Sequence, residues 1–105
     1  MSRLADRPTA RLEPSGDGRL ALSGQAGFGN AAALLEEGID RFAGEGPLVI
    51  DLSGLTHADS AGVALLIEWV FAARRAGREL RFDGLPDQVR AIARLGGVDD
   101  FLPVA

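Results

Sequence analysis

The chain has 105 residues, a length that fits one domain, and 47% of them are hydrophobic, enough to build a core without covalent staples. It has no cysteine, which excludes a disulfide framework, thiolate chemistry and a zinc–cysteine site. Fifteen acids stand against eleven basic residues, all of them arginine, and the net charge of −4 argues against nucleic acid as the main partner.

The absence of lysine removes a Walker-type phosphate lysine, a Schiff-base lysine and a Ser–Lys nucleophile pair. The first residues are charged and no apolar run follows them, so no signal peptide is expected. The longest apolar run, Ala61 to Ala73, is broken by Glu68 and is too short to span a bilayer. A soluble, cytoplasmic protein is expected.

Residues 1–8 carry charge and proline without periodicity and read as a loose start. Ala10 to Glu13 alternates weakly as a strand. Pro14-Ser15-Gly16-Asp17-Gly18 is turn chemistry, and Arg19 to Ser23 alternates again, so the pair reads as a hairpin. Gly24 to Gly29 is a glycine-rich loop. Asn30 is placed to cap a helix from Ala31 to about Phe42, with Leu34, Leu35, Ile39 and Phe42 inward.

After Pro47 comes a short apolar run, Leu48-Val49-Ile50-Asp51-Leu52, rich in β-branched residues. It reads as a strand buried on both sides, followed by a loop from Leu55 to Ala58. Asp59 and Ser60 are good cap residues for a helix from Ser60 to about Ala76, stopped by Gly77, with Arg74 and Arg75 in its last turn. Glu79 to Asp83 is a further strand. Pro86 suits the start of a last helix, with Val89, Ile92, Ala93 and Leu95 inward. Val98, Phe101 and Leu102 can pack back onto the domain. The order β-β-α-β-α-β-α predicts a single α/β (α+β) domain over residues 1–105, a mixed sheet of about four strands covered by helices.

His57, Asp59 and Ser60 suggest a hydrolase, but Ala58 stands where a nucleophile elbow needs glycine, and the single histidine lies three residues from the serine. The bland reading makes Ser60 a cap and His57 a loop residue. Gly24, Gly27 and Gly29 have neither dinucleotide-fingerprint nor P-loop spacing, so they read as a turn. Asp51 and Asp59 are two carboxylates without a clear third ligand, a weak metal signal; Asp51 reads better as fixing the chain where it leaves the strand. No metal or other cofactor is expected.

The central helix is more informative. At ~100° per residue, Val63, Leu66, Ile67, Val70 and Ala73 form a face wide enough to cover a sheet. Leu65, Trp69 and Ala72 widen the arc on one side, Ala64 and Phe71 on the other, and only Glu68 and Arg75 are clearly polar. Either neighbouring helices cover the excess, or it docks another protein through an aromatic anchor, Trp69 or Phe71.

The run from Leu48 to Leu66, with its apolar strand ending in Asp51-Leu52 and its loop ending in Asp59-Ser60-Ala61-Gly62-Val63, resembles the core motif of STAS domains, the fold of bacterial anti-sigma-factor antagonists. The resemblance covers nearly the whole chain in element order, but only this run is specific. It implies a non-enzymatic domain that binds another protein. Ala58 to Leu66, Arg74-Arg75, Leu85 to Leu95 and Phe101-Leu102-Pro103 look like the MlaB-type branch, which binds and supports the ATPase subunit of a phospholipid-trafficking Mla-type ABC transporter. The resemblance and the wide apolar arc together imply a contact through Asp59, Ser60, Ala61, Leu65, Trp69 and Ala72, with the membrane reached only through the transporter. In the sister branch the residue matching Ser60 is phosphorylated by an anti-sigma-factor kinase. Many members carry Gly-x-x-Asp after the second strand; this chain has Gly24-Gln25-Ala26-Gly27, which weakens the phosphorylation reading.

Overall fold

The computed structural model of the chain describes residues 9–105; the loose start expected at residues 1–8 lies outside them. Asp17 and Gly18 join β1 (Ala10–Gly16) and β2 (Arg19–Ala26) into an antiparallel hairpin; Pro14, Ser15 and Gly16, expected in the turn, belong to β1. Then follow α1 (Ala31–Asp40), β3 (Leu48–Ala58), α2 (Ser60–Arg75), β4 (Leu80–Asp83) and α3 (Asp87–Leu95), the order expected from the sequence. The sheet runs β1-β2-β3-β4, with β2, β3 and β4 parallel. Crossovers between parallel neighbours are right-handed in nearly all proteins, which puts α1 and α2 on the same side of the sheet.

Burial follows from that layering. Leu12, Leu20, Leu22, Ile50, Leu52, Leu80 and Phe82 line the buried face. The opposite face carries Arg11, Glu13, Arg81 and Asp83, all exposed, and Arg19 and Asp51, both half-buried, with Arg19 and Asp83 paired at 3.1 Å. The expectation that the strand after Pro47 is buried on both sides is therefore not met: the helices cover one face only.

β3 extends through Ala58, past the loop expected from Leu55. Ala21 faces Asp51 but Ser23 faces Gly54, and Gly24 faces Leu55 but Gln25 faces His57. Each step adds one residue to β3, a bulge that re-aims the side chains after it. The buried positions accordingly fall at Leu48, Ile50, Leu52, Leu55 and Ala58, and their spacing passes from two to three. Asp51 Oδ1 accepts from the Ser53 N–H at 2.9 Å, which fixes the first bulge inside the strand.

The flank of α2 bearing Leu65, Trp69 and Ala72 is buried, with Trp69 at 0% exposure. This corrects the expectation that it faces outward. The reason is α1: Trp69 Nε1 donates to the Leu35 carbonyl at 3.4 Å, and Phe42 meets the indole edge-on at 6.4 Å. Gly38 makes the approach possible, because a Cβ there would collide with the indole. Ile39 and Leu95, expected inward, are exposed, Leu95 at 91%. In α1 the buried positions are Leu34 and Gly38, and in α3 they are Val89 and Ala93. At about 100° per residue, Ile39 and Leu95 turn away from those lines. The tail returns as expected through Leu102, and the Phe82 N–H donates to the Pro103 carbonyl at 2.8 Å along the outer edge of β4.

Trp69→Ala is expected to cost about 3–5 kcal/mol of stability, read from urea denaturation. A cost below about 1 kcal/mol would contradict the packing of α1 on α2.

Candidate functional site

The site lies where β3 ends and α2 begins. Asp59 has extended backbone and caps α2 with its side chain, Oδ1 accepting from the Gly62 N–H at 3.0 Å. Its other oxygen, Oδ2, accepts from the Phe28 N–H at 3.1 Å, so the same carboxylate holds the turn between β2 and α1. Two close approaches follow. A Cβ on Gly27 would stand 2.7 Å from Asp59 Oδ2, and one on Gly62 would collide with the Ala26 carbonyl. Both hydrogen bonds favour the charged carboxylate, that from Gly62 most and that from Phe28 next, and they hold the Asp59 pKa below its usual range.

The expected glycine loop is shorter than the sequence suggests, because Gly24, Gln25 and Ala26 pair with β3. Asn30 does not cap α1 with its side chain. Its Oδ1 accepts from the Gly27 N–H at 2.9 Å, and its Nδ2 donates to Thr9 Oγ1 at 2.7 Å and to the Gln25 carbonyl at 2.8 Å. Its amide braces the turn instead. Phe28, at the tip, is 90% exposed beside a recess of about 320 Å³ that His57 and Asp59 also line. From the other side, Gln88 Oε1 on α3 accepts from the Ala58 N–H at 3.2 Å.

Ser60 is the first residue of α2 and is exposed; Asp59, not Ser60, supplies the side-chain cap. Ala61 is half-buried, while Ala64 and Glu68 are exposed. The contact set implied by the resemblance therefore splits. Asp59, Ser60 and Ala61 come together at the front of α2, and Leu65, Trp69 and Ala72 lie inside. Two apolar grooves flank the ridge of Ser60, Ala64 and Glu68. One, about 260 Å³, runs toward α1 past Ala32 and Leu35. The other, about 240 Å³, runs toward α3 past Ile67, Ile92 and Val98. The outward face is thus Ser60, Ala64 and Glu68, with Ile67 and Phe71 half-buried beside it, and Glu68, the lone acid of the helix, was the signal that marks it: Ala64 lies one turn before it.

His57 stands exposed on β3 rather than in a loop, and among the described residues it makes no hydrogen bond to Ser60. Asp51 and Asp59 both accept from backbone N–H groups, and among the described residues no three His, Asp or Glu side chains are grouped to hold a metal. No helix among the described residues is long and apolar enough to cross a membrane.

The stability that Asp59 lends has a sign fixed by its pKa. A carboxylate whose native pKa is depressed contributes fully above the ordinary carboxylate range, and the contribution fades as pH falls through the native value. Asp59→Asn is expected to lower stability most at neutral pH, with the gap to wild type narrowing as the pH falls below the ordinary carboxylate range. Urea denaturation across that range measures it; a gap independent of pH would refute the assignment.

Comparison with known proteins gives a consistent picture. A family model described as "Mlab, STAS domain" matches residues 10–103. The anti-sigma-factor antagonist SpoIIAA in its unphosphorylated form is 13% identical, with a TM-score of 0.67 over 91% of this chain and 87% of that one. An antisigma-factor antagonist STAS domain from Rhodobacter sphaeroides is 27% identical, with a TM-score of 0.59 over 71% of this chain and 84% of that one. SLC26A9 is 17% identical with a TM-score of 0.68 over 80% of this chain, which spans 17% of its length. No curated protein matches the sequence.

Proposed function

The chain belongs to the MlaB-type STAS domain family, and from that premise we propose that it is a non-enzymatic subunit that binds and supports the ATPase of a phospholipid-trafficking, Mla-type ABC transporter. It works at the cytoplasmic side and meets the membrane only through that complex. The observation that carries the reading is the exposed ridge of Ser60, Ala64 and Glu68 with an apolar groove on either side. Small residues on the crest let a partner backbone come close, and the grooves accept its apolar side chains. The front of α2 is held rigid by Asp59, so little ordering cost falls on binding.

A second reading, the phosphorylation-controlled anti-sigma-factor antagonist, is favoured by the exposure of Ser60 on the first turn of α2, where backbone donors and the helix dipole tolerate an added phosphate. Gly27 counts against it. The space where an acidic side chain would stand is taken by Asp59.

Co-purification with the Mla-type ATPase subunit of the same genome tests the first reading. Wild type is expected to carry the ATPase through size exclusion, and Ala64→Arg and Ser60→Glu are expected to weaken capture at least about tenfold. Circular dichroism controls for folding. Unchanged capture by both variants, or no capture by wild type, overturns the reading. Stoichiometric phosphate on Ser60 after incubation with a cognate kinase and ATP would favour the second.

A further inference from the structure

At the pole of the sheet opposite Ser60, three arginines from distant parts of the sequence line one recess of about 290 Å³: Arg19 at the start of β2, Arg41 after α1, and Arg78 before β4. Such a gathering stands out in a chain of net charge −4. Arg78 is only 8% exposed. Its Nε donates to the Gly46 carbonyl at 3.0 Å, Nη1 to Ala43 at 3.3 Å and Nη2 to Pro47 at 3.4 Å. Among the described residues no carboxylate pairs with it.

A buried guanidinium held only by carbonyl dipoles has no carboxylate to offset its charge, and burial of an unpaired charge is costly. Each Nη also bears a second N–H beyond the one it donates. Gly44, with a positive φ of 124°, lines the recess beside that guanidinium. Of the other two arginines, Arg19 is hydrogen-bonded to Asp83 at 3.1 Å on the exposed sheet face, whereas Arg41 is held only at 3.9 Å from Glu37. Glu45 is the one carboxylate in the lining, and Glu37 and Asp83 hold Arg41 and Arg19 from outside it, so Arg78 is the arginine of the three with no carboxylate partner among the described residues.

We propose that this recess is an anion site for a phosphate monoester dianion, with Arg78 as the fixed donor at its base and Arg41 closing over it. Planar guanidinium forks match phosphate oxygens two at a time, which favours phosphate over a halide. The site does not depend on the identity of the protein partner.

Titration of the whole chain with inorganic phosphate, followed by NMR, tests the proposal. The Arg78 Nε–H and the amides of Gly44, Glu45 and Gly46 are expected to shift saturably, and chloride at matched ionic strength is not. Arg41→Gln, on an exposed residue, is expected to weaken binding roughly tenfold, while Ser60→Ala leaves it unchanged. Vesicles containing phosphatidic acid separate two sources of the same chemistry. Capture that Arg41→Gln abolishes assigns a lipid headgroup, and phosphate binding without capture assigns a soluble phosphate; both uphold the site. No saturable shift and no capture, an equal response to chloride, or binding untouched by Arg41→Gln overturns it.

Discussion

At the end of β3, two backbone N–H groups from segments more than thirty residues apart converge on the carboxylate of Asp59: Gly62 on its own helix and Phe28 on the turn before α1. Charge-assisted bonds of this kind are about twice as strong as neutral ones, and each satisfies a donor that the fold would otherwise leave unpaired. The consequence is geometric. With Asp59 turned inward to cap and clamp, Ser60 is the first residue free to face outward. The approach of α2 to β2 and to the turn then leaves no room for a side chain at Gly62 or Gly27. One carboxylate thereby decides which residue is presented, how rigidly, and which neighbours must be glycine.

The fold was largely legible because alternation and turn chemistry agree with the final architecture. The hairpin, the parallel crossovers and the limits of α2 all follow from local pattern. What escaped reading has one kind of cause. β3 looked five to seven residues long because its two bulges shift the apolar spacing from two to three, and a period-two pattern stops at Ser53. Asn30 looked like a cap because its residue type is right for one. Its amide instead found Gly27, Gln25 and Thr9, partners that only the folded turn brings near. Local propensity names what a residue can do, and tertiary neighbours choose among the options.

The same logic explains the site. The wide apolar arc of α2 correctly signalled cover on more than its sheet side, but a helical wheel has no arrow pointing to the partner. The largest residue, Trp69, drew attention as an anchor, and its size is what the core uses: it fills the space between α1 and α2 against Phe42, with Gly38 making way. Small residues carry the outward crest instead. Alanine at 64 contributes little area of its own, yet it keeps the ridge low enough for both flanking grooves to be reached together.

The two candidate surfaces are mechanically separate, and β3 is the reason. Its eleven residues run from Leu48, which lines the arginine recess, to Ala58, beside the Asp59 clamp. At about 3.3 Å per residue the strand holds the two poles on the order of 30 Å apart, well beyond a Debye length at physiological salt. An anion among the arginines therefore has little direct field at Ser60, and a partner on the crest need not touch Arg41. Any influence of one pole on the other would have to pass through the packed strand, and a close-packed strand with a buried face offers no second arrangement through which to carry it. Occupancy of the arginine recess should consequently leave affinity at the crest unaltered.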